Sequence, residues 1–203
     1  MFIRAREDNF FGKIQFVKGR LLRRLGIPNW GTYYSRECGG GPIMDIGSHI
    51  IDLIHYVIGR PAAESVVART WTSKGNRPCE VACPSPGWNY QKYSVEDMAV
   101  AHINFKDNIV MQLELSYCSH MKEDCIYDFT LMGENGGGHW SSSNAPELYC
   151  DTAGTMMNLS PGWLGDQGRP VMFKAKLQNF VDACLTNSQS RIPGEVGLQT
   201  QII

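Results

Sequence analysis

The sequence has almost no net charge and no long apolar run. Lysine and arginine number 19 against 20 aspartates and glutamates, which gives a formal net charge of −1. Nucleic-acid binding usually needs a basic patch, which is missing here. No apolar run approaches the roughly 20 residues of a membrane span, and the charged N-terminus does not fit a signal peptide. These absences predict a soluble, cytoplasmic protein that binds neither nucleic acid nor membrane.

The metal and phosphate motifs with strict spacing are also missing. The seven cysteines contain no CxxC pair, and the closest two are Cys79 and Cys83. Reduced, mostly buried thiols are therefore favoured over a zinc site, and no metal is expected. The run Gly39-Gly40-Gly41 would need a glycine at position 44 to complete GxGxxG, and Met44 stands there. A phosphate loop is not indicated.

The length and composition fit one globular domain. The chain has 203 residues, of which 43% are hydrophobic and 19% charged. That is enough apolar material for a substantial core. The sequence therefore predicts a single domain over residues 1–203.

The hydrophobic periodicity separates strands from helices. Alternating apolar residues predict an antiparallel hairpin, 97–105 with 109–117, around a turn at 106–108. Further strands are predicted at 13–22, 65–71, 125–133 and 145–151, and residues 134–144 are predicted as a glycine- and serine-rich turn region. Helices are predicted from Pro42 to Gly59, over 171–185 and from Gly194. Segregated strands and helices indicate an α+β fold.

The first long helix that the sequence predicts carries titratable side chains on an otherwise apolar segment. Asp45 and His49 are four residues apart, so they share one helix face, which Asp52 and Tyr56 extend. A carboxylate beside an imidazole can orient the ring and suits acid–base catalysis near neutral pH. The alternative is a weak surface ion pair of structural importance only.

The segment GGGPIMDIGSHIIDL, residues 39–53, resembles the signature of the Gfo/Idh/MocA family of oxidoreductases. Similarity extends over nearly the whole chain, through GKIQFVKGR, SVEDMAVAHINFKDNIVMQLELSY, LMGENGG and the closing helices. The resemblance implies the family's C-terminal domain, an open, mainly antiparallel sheet with helices on one face. It also implies hydride transfer between NAD(P) and a sugar, cyclitol or related alcohol. In that scheme His49 is the acid/base, and Asp45 orients the substrate and the histidine.

The segment just before the signature offers candidate substrate contacts. Aromatic side chains suit the apolar faces of a sugar, and arginine suits an acid group. Ordinary loop packing is the alternative for each of them. The candidates are Trp30, Tyr33, Tyr34 and Arg36, together with Asp52 from the helix.

Two parts of the family pattern are missing from these 203 residues. The GxGxxG strand–helix unit and the Glu-Lys-Pro segment, whose lysine completes the family's catalytic set, both belong to an N-terminal Rossmann domain. The resemblance therefore implies a fragment of a two-domain enzyme, inactive alone, either an expressed domain or a truncated gene product. NAD or NADP is expected in the full-length parent and not bound to this chain.

The family resemblance further implies a homo-oligomer formed through the open face of the sheet. A non-enzymatic binding or assembly domain with the same fold is the alternative function. A metal-dependent lyase or hydrolase is disfavoured because no second cluster has ligand spacing.

Overall fold

The computed structural model describes residues 1–83, 87–165 and 168–203. They divide into two compact units, Met1–Leu159 and Ser160–Ile203. The first unit contains the sheet and the motif helix, and the second contains two helices. The expectation of one domain over 1–203 stays a prediction.

The first unit is an eight-stranded sheet with helices before and between its strands. The helices are α1 (Phe2–Glu7) and α2 (Ser48–Ile58). The strands are β1 (Ile14–Arg23), β2 (Ala63–Trp71), β3 (Met98–Phe105), β4 (Ile109–Ser116), β5 (Cys125–Gly133), β6 (Gly136–Ser141), β7 (Glu147–Thr152) and β8 (Thr155–Leu159).

The sheet is open and mainly antiparallel, as predicted. Its strand order is β2-β3-β4-β1-β5-β6-β7-β8. The one parallel pair joins β1 to β4 and sets Gly19 opposite Leu113. β1 also pairs antiparallel with β5, with Gly19 opposite Phe129. The N-terminal strand therefore lies in the interior of the sheet, between two sets of strands that follow one another along the chain.

Helix α2 packs its apolar side directly onto β1. Ile50 and Ile54 are fully buried, and both lie over Gly19, where an added Cβ would collide with the tip of Ile54 and lie 3.1 Å from Ile50. Burying one such side chain contributes about 1.5–3 kcal/mol relative to exposing it. A glycine in the middle of β1 thus lets the helix approach the sheet closely.

A π-helical turn, Ile43–Gly47, leads into α2. The N–H of Gly47 donates to the carbonyl of Pro42 at 2.7 Å, five residues back. A Cβ at Gly47 would lie 2.8 Å from Leu115 of β4. The turn therefore seats the start of the helix against the sheet, and such turns are frequent at functional sites.

The far end of α2 is capped as the sequence predicts. Gly59 adopts a left-handed conformation, with φ 93°, which favours glycine. Arg6 of α1 donates to the carbonyls of Tyr56 and Val57 at 2.9 Å each. A cation at this position also complements the helix dipole.

The predicted turn region at 134–144 was wrong in part, because β6 occupies Gly136–Ser141. Its glycines fit between neighbouring strands: a Cβ at Gly137 would lie 2.8 Å from the carbonyl oxygen of Leu131. Strand β7 was foreseen, while β8 and α1 were not.

The face of the sheet opposite α2 mixes charged and apolar side chains. Lys18 pairs with Glu114, and Arg20 forms a bidentate ion pair with Asp128. This hydrogen-bonded pairing raises the pKa of Arg20 despite its partial burial. Val100 of β3 is half-buried on the same face. We call this the open face.

The second unit consists of α3 (Arg169–Thr186) and α4 (Gly194–Ile202). Both helices were predicted. α3 ends at Asn187, which is left-handed with φ 50°, a conformation that asparagine tolerates better than most residues. Within the described residues, no helix combines the length and apolar character needed to cross a membrane.

Candidate functional site

The carboxylate of Asp45 is held by a buried tyrosine. Asp45 lies in the π-helical turn, half-buried, and its Oδ2 accepts a hydrogen bond of 2.8 Å from the hydroxyl of Tyr117. Tyr117 follows β4 directly and is fully buried. Burial, and then the bond to Asp45, raise the pKa of Tyr117. The hydroxyl therefore remains a donor and fixes one carboxylate oxygen of Asp45.

His49 lies one turn further on, in the first turn of α2, and is exposed. Over the ranges that the structure describes, no hydrogen bond or ion pair joins it to Asp45. The ion pair considered from their spacing is thus not formed in this structure, where Tyr117 holds one of the two carboxylate oxygens. An exposed imidazole one turn from a fixed carboxylate is accessible to a substrate hydroxyl.

Asp52 faces a second tyrosine of the sheet. Burial, and then the negative charge of Asp52, raise the pKa of Tyr127. Tyr127 lies on β5 opposite Leu21, and its ring meets Trp140 edge-on, with the ring centroids 5.1 Å apart. Tyr56, expected to extend the polar stripe, instead places its ring under the guanidinium of Arg60, 4.9 Å from the ring centroid.

The glycines before the helix pack closely against other parts of the same chain. The N–H of Gly41 donates to the carbonyl of Tyr33 at 2.8 Å. Gly41 has φ +99°, and a Cβ there would lie 2.5 Å from Oε1 of Glu96. A Cβ at Gly40 would collide with the same Tyr33 carbonyl. The close packing at these two glycines is with the preceding loop and with Glu96.

The carboxylate of Glu96 lies at the N-terminus of the helical segment, a position that attracts anions. Its Oε1 accepts a hydrogen bond of 3.1 Å from the N–H of Ile43, at the first turn of the helical segment. A carboxylate here is stabilised by the unpaired N–H groups and by the helix dipole. The chain itself therefore places a negative charge at the N-terminus of the helical segment.

The four aromatic and basic candidates lie in the loop between β1 and the π-helical turn. Trp30 and Tyr33 are exposed and meet edge-on, with ring centroids 6.3 Å apart. Arg36 is exposed and Tyr34 half-buried. The loop is anchored through the Tyr34 carbonyl, which accepts from the N–H of Ser94 at 2.9 Å, and through the N–H of Arg36, which donates to Ser94 Oγ at 3.0 Å. The backbone is held while these side chains reach solvent.

The second histidine of α2 is structural. His55 is buried, its Nε2 lies 2.8 Å from the carbonyl oxygen of Pro61, and its ring stacks on Phe105. Because a carbonyl only accepts, Nε2 carries the proton. His55 thus packs beneath the helix while His49 faces outward.

A buried aspartate fixes the loop that follows β2. Asp97 is 1% exposed, and its Oδ2 accepts three backbone N–H groups at 2.6–2.8 Å, from Ser73, Lys74 and Gly75. Its carbonyl oxygen also accepts from Ser116 Oγ at 2.9 Å. This single carboxylate sets the path of the chain from β2 towards β3.

The cysteines differ from the expectation of mostly buried thiols. Of the seven, only Cys118 is buried. Among the described residues, no group of three or more histidine, cysteine, aspartate or glutamate side chains is arranged to hold a metal ion.

Sequence reasoning missed Tyr117, Tyr127 and Glu96 as parts of this region. Tyr117 was assigned to the apolar face of the hairpin, and strand alternation does place it on the α2 side. That alternation was the available signal, but its partner Asp45 is 72 residues away in sequence. No pattern in the sequence marked Glu96 as a helix cap.

The helix that presents Asp45 and the exposed His49 thus lies against an open, mainly antiparallel sheet. The model of the GFO/IDH/MocA C-terminal domain matches residues 4–138. D-glucoside 3-dehydrogenase of Escherichia coli (strain K12) is 31% identical over 191 residues, which cover 86% of this chain and 53% of that protein. The chain belongs to the GFO/IDH/MocA C-terminal domain family.

Solved structures show the same fold. An oxidoreductase domain protein from Kribbella flavida matches with a TM-score of 0.79 at 19% identity, over 98% of this chain and 58% of its own. Levoglucosan dehydrogenase in complex with NADH matches with a TM-score of 0.77 at 19% identity, over 98% of this chain and 56% of its own. The chain thus spans about half the length of the relatives that it matches.

Proposed function

We propose that this chain is the substrate-binding and catalytic part of an NAD(P)-dependent oxidoreductase that acts on a sugar, cyclitol or related alcohol. The observation that carries the proposal is the fixed carboxylate of Asp45 one turn before the exposed imidazole of His49. Family membership and the similarity to a glucoside dehydrogenase support it. The predicted cytoplasmic location stays a prediction.

The proposed roles follow from the chemistry of the two side chains. The imidazole of His49 takes the proton of the reacting hydroxyl during oxidation and returns it during reduction. Tyr117 holds one oxygen of Asp45, which leaves the other oxygen to accept a hydrogen bond from a substrate hydroxyl or from His49. Asp52 and the loop side chains Trp30, Tyr33, Tyr34 and Arg36 complete the proposed substrate surface.

The residues of this chain do not fit a dinucleotide pyrophosphate. The sequence contains no GxGxxG, and the N-terminus of the helical segment is already neutralised by Glu96. We therefore propose that NAD or NADP is held by a separate nucleotide-binding domain, and that this chain alone binds neither appreciably. Calorimetric titration that gave micromolar affinity for either dinucleotide would contradict this.

We also propose that the chain forms a homo-oligomer through the open face. That face combines paired charges at its centre with half-buried valines, which suits a buried but partly polar contact. The ion pairs Lys18–Glu114 and Arg20–Asp128 neutralise its charges within one copy. Those four charges therefore stay paired when two such faces meet.

The test of the catalytic proposal uses the parent protein with its nucleotide-binding domain. Glucosides, other sugars and inositols are screened for reduction of NAD or NADP. His49→Ala is expected to lower kcat by about 100-fold or more, since acid–base groups contribute 10²–10⁴-fold. The Kd for the dinucleotide should stay unchanged.

The matched control is His120→Ala, which removes an exposed histidine from the segment between β4 and β5. It should leave kcat near that of the parent. Equal losses in both variants, or an equal loss of turnover and dinucleotide affinity in His49→Ala, would argue for a structural histidine. Full-length protein with no dehydrogenase activity on any of these alcohols would favour the binding or assembly function.

A further inference from the structure

The segment between β2 and β3 holds two thiols in contact. The Sγ atoms of Cys79 and Cys83 lie 3.5 Å apart, and Cys79 Sγ also donates to the carbonyl of Val81, 3.2 Å away. A disulfide bond is about 2.05 Å long, so the two sulfur atoms have to close by only about 1.5 Å to form one.

The intervening turn is free to absorb that movement. Residues 80–82 are all exposed, and the side chain of Val81 is 60% exposed. Exposed turns of this kind have few packed side chains that resist a small change of backbone path. Only three residues separate the two cysteines, so the loop that a disulfide would close is short.

The thiol pair lies where two cavities adjoin. Cys83 lines a cavity of about 490 Å³, and Cys79 lines a second one of about 200 Å³. Both cavities share Leu25, Lys74 and Val81 as lining residues. A small reagent therefore has access to the sulfur atoms from either side.

The lining of these cavities favours an anionic reagent. Lys74 borders both cavities, Arg24 borders the larger and Arg77 the smaller. Asp124 and Glu80 are the acidic residues of the two linings. The backbone of Lys74 is fixed by its hydrogen bond to Asp97, 2.6 Å long, at the border of both cavities.

We propose that Cys79 and Cys83 form a redox-active dithiol, which an anionic low-molecular-weight disulfide such as glutathione disulfide oxidises to a disulfide within the turn. One cysteine thiolate attacks the reagent and forms a mixed disulfide, releasing one glutathione. The second thiolate attacks the protein sulfur and releases the other glutathione. The two cysteines lose two protons and two electrons, and the S–S bond of the reagent is reduced to two thiols.

Selectivity for this pair follows from the state of the other cysteines. Cys118 is buried, and burial raises its pKa to about 12, which keeps it a thiol. Cys150 is half-buried, and Cys38, Cys125 and Cys184 are exposed. An exposed single cysteine that reacts with glutathione disulfide stops at the mixed disulfide unless a second thiol is in reach.

Trypsin offers a direct readout of the proposal. It cuts after lysine and arginine but not before proline, so cleavage after Lys74 and Lys92 releases GNRPCEVACPSPGWNYQK, residues 75–92. This peptide contains Cys79 and Cys83 and no other cysteine. After the whole chain is treated with glutathione disulfide and alkylated, the peptide should be lighter by two hydrogen atoms and should resist alkylation until it is reduced.

Two variants make the test specific. Cys83→Ser is expected to retain one glutathione on Cys79, because no second thiol can resolve the mixed disulfide. Cys38→Ser should leave the internal disulfide of peptide 75–92 unchanged. Far-UV circular dichroism confirms that each variant is folded.

Three outcomes would overturn the proposal. They are a wild-type peptide 75–92 that keeps both thiols, one that carries two glutathiones, and one that is mainly linked to another peptide. The readout is a mass and not a rate, so the result is independent of the dehydrogenase activity proposed above.

Discussion

At the scale of single residues, the bond from Tyr117 to Asp45 is the contact with the clearest functional consequence. Tyr117→Phe removes the hydroxyl and leaves the ring in place. A hydrogen bond to a charged group contributes about 1.5–3 kcal/mol. In the parent enzyme we expect kcat/KM to fall by about ten-fold or more, equivalent to ~1.4 kcal/mol, through loss of the fixed orientation of Asp45.

The control for this prediction is Tyr149→Phe. Tyr149 also donates to a carboxylate, that of Glu147 at 3.0 Å, but it lies on β7, away from the motif helix. The kcat/KM of Tyr149→Phe should match that of the parent enzyme. A similar loss in both variants, or none in Tyr117→Phe, would remove Tyr117 from the site.

The same tyrosine predicts how stability depends on pH. Burial and the bond to Asp45 raise the folded-state pKa of Tyr117 above the unfolded value of about 10. Below that pH both states hold the proton, and the stabilisation is fully present. Above it the unfolded state ionises first, so the free energy of unfolding should fall as pH rises. Urea titrations between pH 8 and about 11 should show a smaller fall for Tyr117→Phe than for wild type.

At the scale of elements, the entrance of the motif helix depends on a glycine that contacts a carboxylate. Gly41→Ala imposes a Cβ on a backbone with φ +99° and within 2.5 Å of Glu96 Oε1. Left-handed strain alone costs about 1–3 kcal/mol, and displacing Glu96 also removes its bond to Ile43. We expect a loss of unfolding free energy at the upper end of that range, measured by urea denaturation.

Gly39→Ala separates the two contributions. Gly39 also has a positive φ, +70°, but nothing lies within 4 Å of its added Cβ. The loss of unfolding free energy in Gly39→Ala should therefore stay near the strain value of about 1 kcal/mol. Equal losses in the two variants would mean that Glu96 does not contribute to the helix entrance.

These elements also show what the sequence can predict. The alternation in 97–117 predicts the β3–β4 hairpin because one of its faces is buried under α2, and burial imposes a period of two. The glycines of β6 give no such signal, because Gly136, Gly137 and Gly138 are required by close backbone oxygens of neighbouring strands and, at Gly136 and Gly138, by aromatic side chains. The parallel pairing of β1 with β4 is set by long-range packing and leaves no local pattern.

The candidate site, too, was predictable from the sequence only in part. The spacing of Asp45 and His49 was visible in the sequence because it is local to one helix. The partners of that helix are Tyr117 and Glu96, which are far away in sequence. Their contacts exist only once the sheet has formed, so residue order alone does not reveal them.

At the scale of the whole molecule, the open face carries the prediction on assembly. Val100→Lys with Val110→Lys places two charges on half-buried positions of β3 and β4. Burying unpaired charges in a contact is costly, so the homodimer should dissociate while the fold is retained. Light scattering measures the mass, and far-UV circular dichroism checks the fold.

The control is Val81→Lys, which adds a charge in the exposed turn between β2 and β3. This variant should leave the mass measured by light scattering equal to that of the wild-type homodimer. A wild-type chain that scatters as a monomer at micromolar concentration would end the proposal that the open face is an interface.

The interior position of β1 has a consequence for how the chain folds. β2, β3 and β4 follow one another in sequence, as do β5 to β8, and within each set the strands pair through short connections except for the segment 72–97 between β2 and β3. β1 alone joins the two sets, with Gly19 opposite Leu113 on one side and Phe129 on the other. Closing such long loops is slow compared with forming hairpins. On the ribosome, β1 therefore waits with two unpaired edges until β4 has emerged, and with one unpaired edge until β5 has emerged.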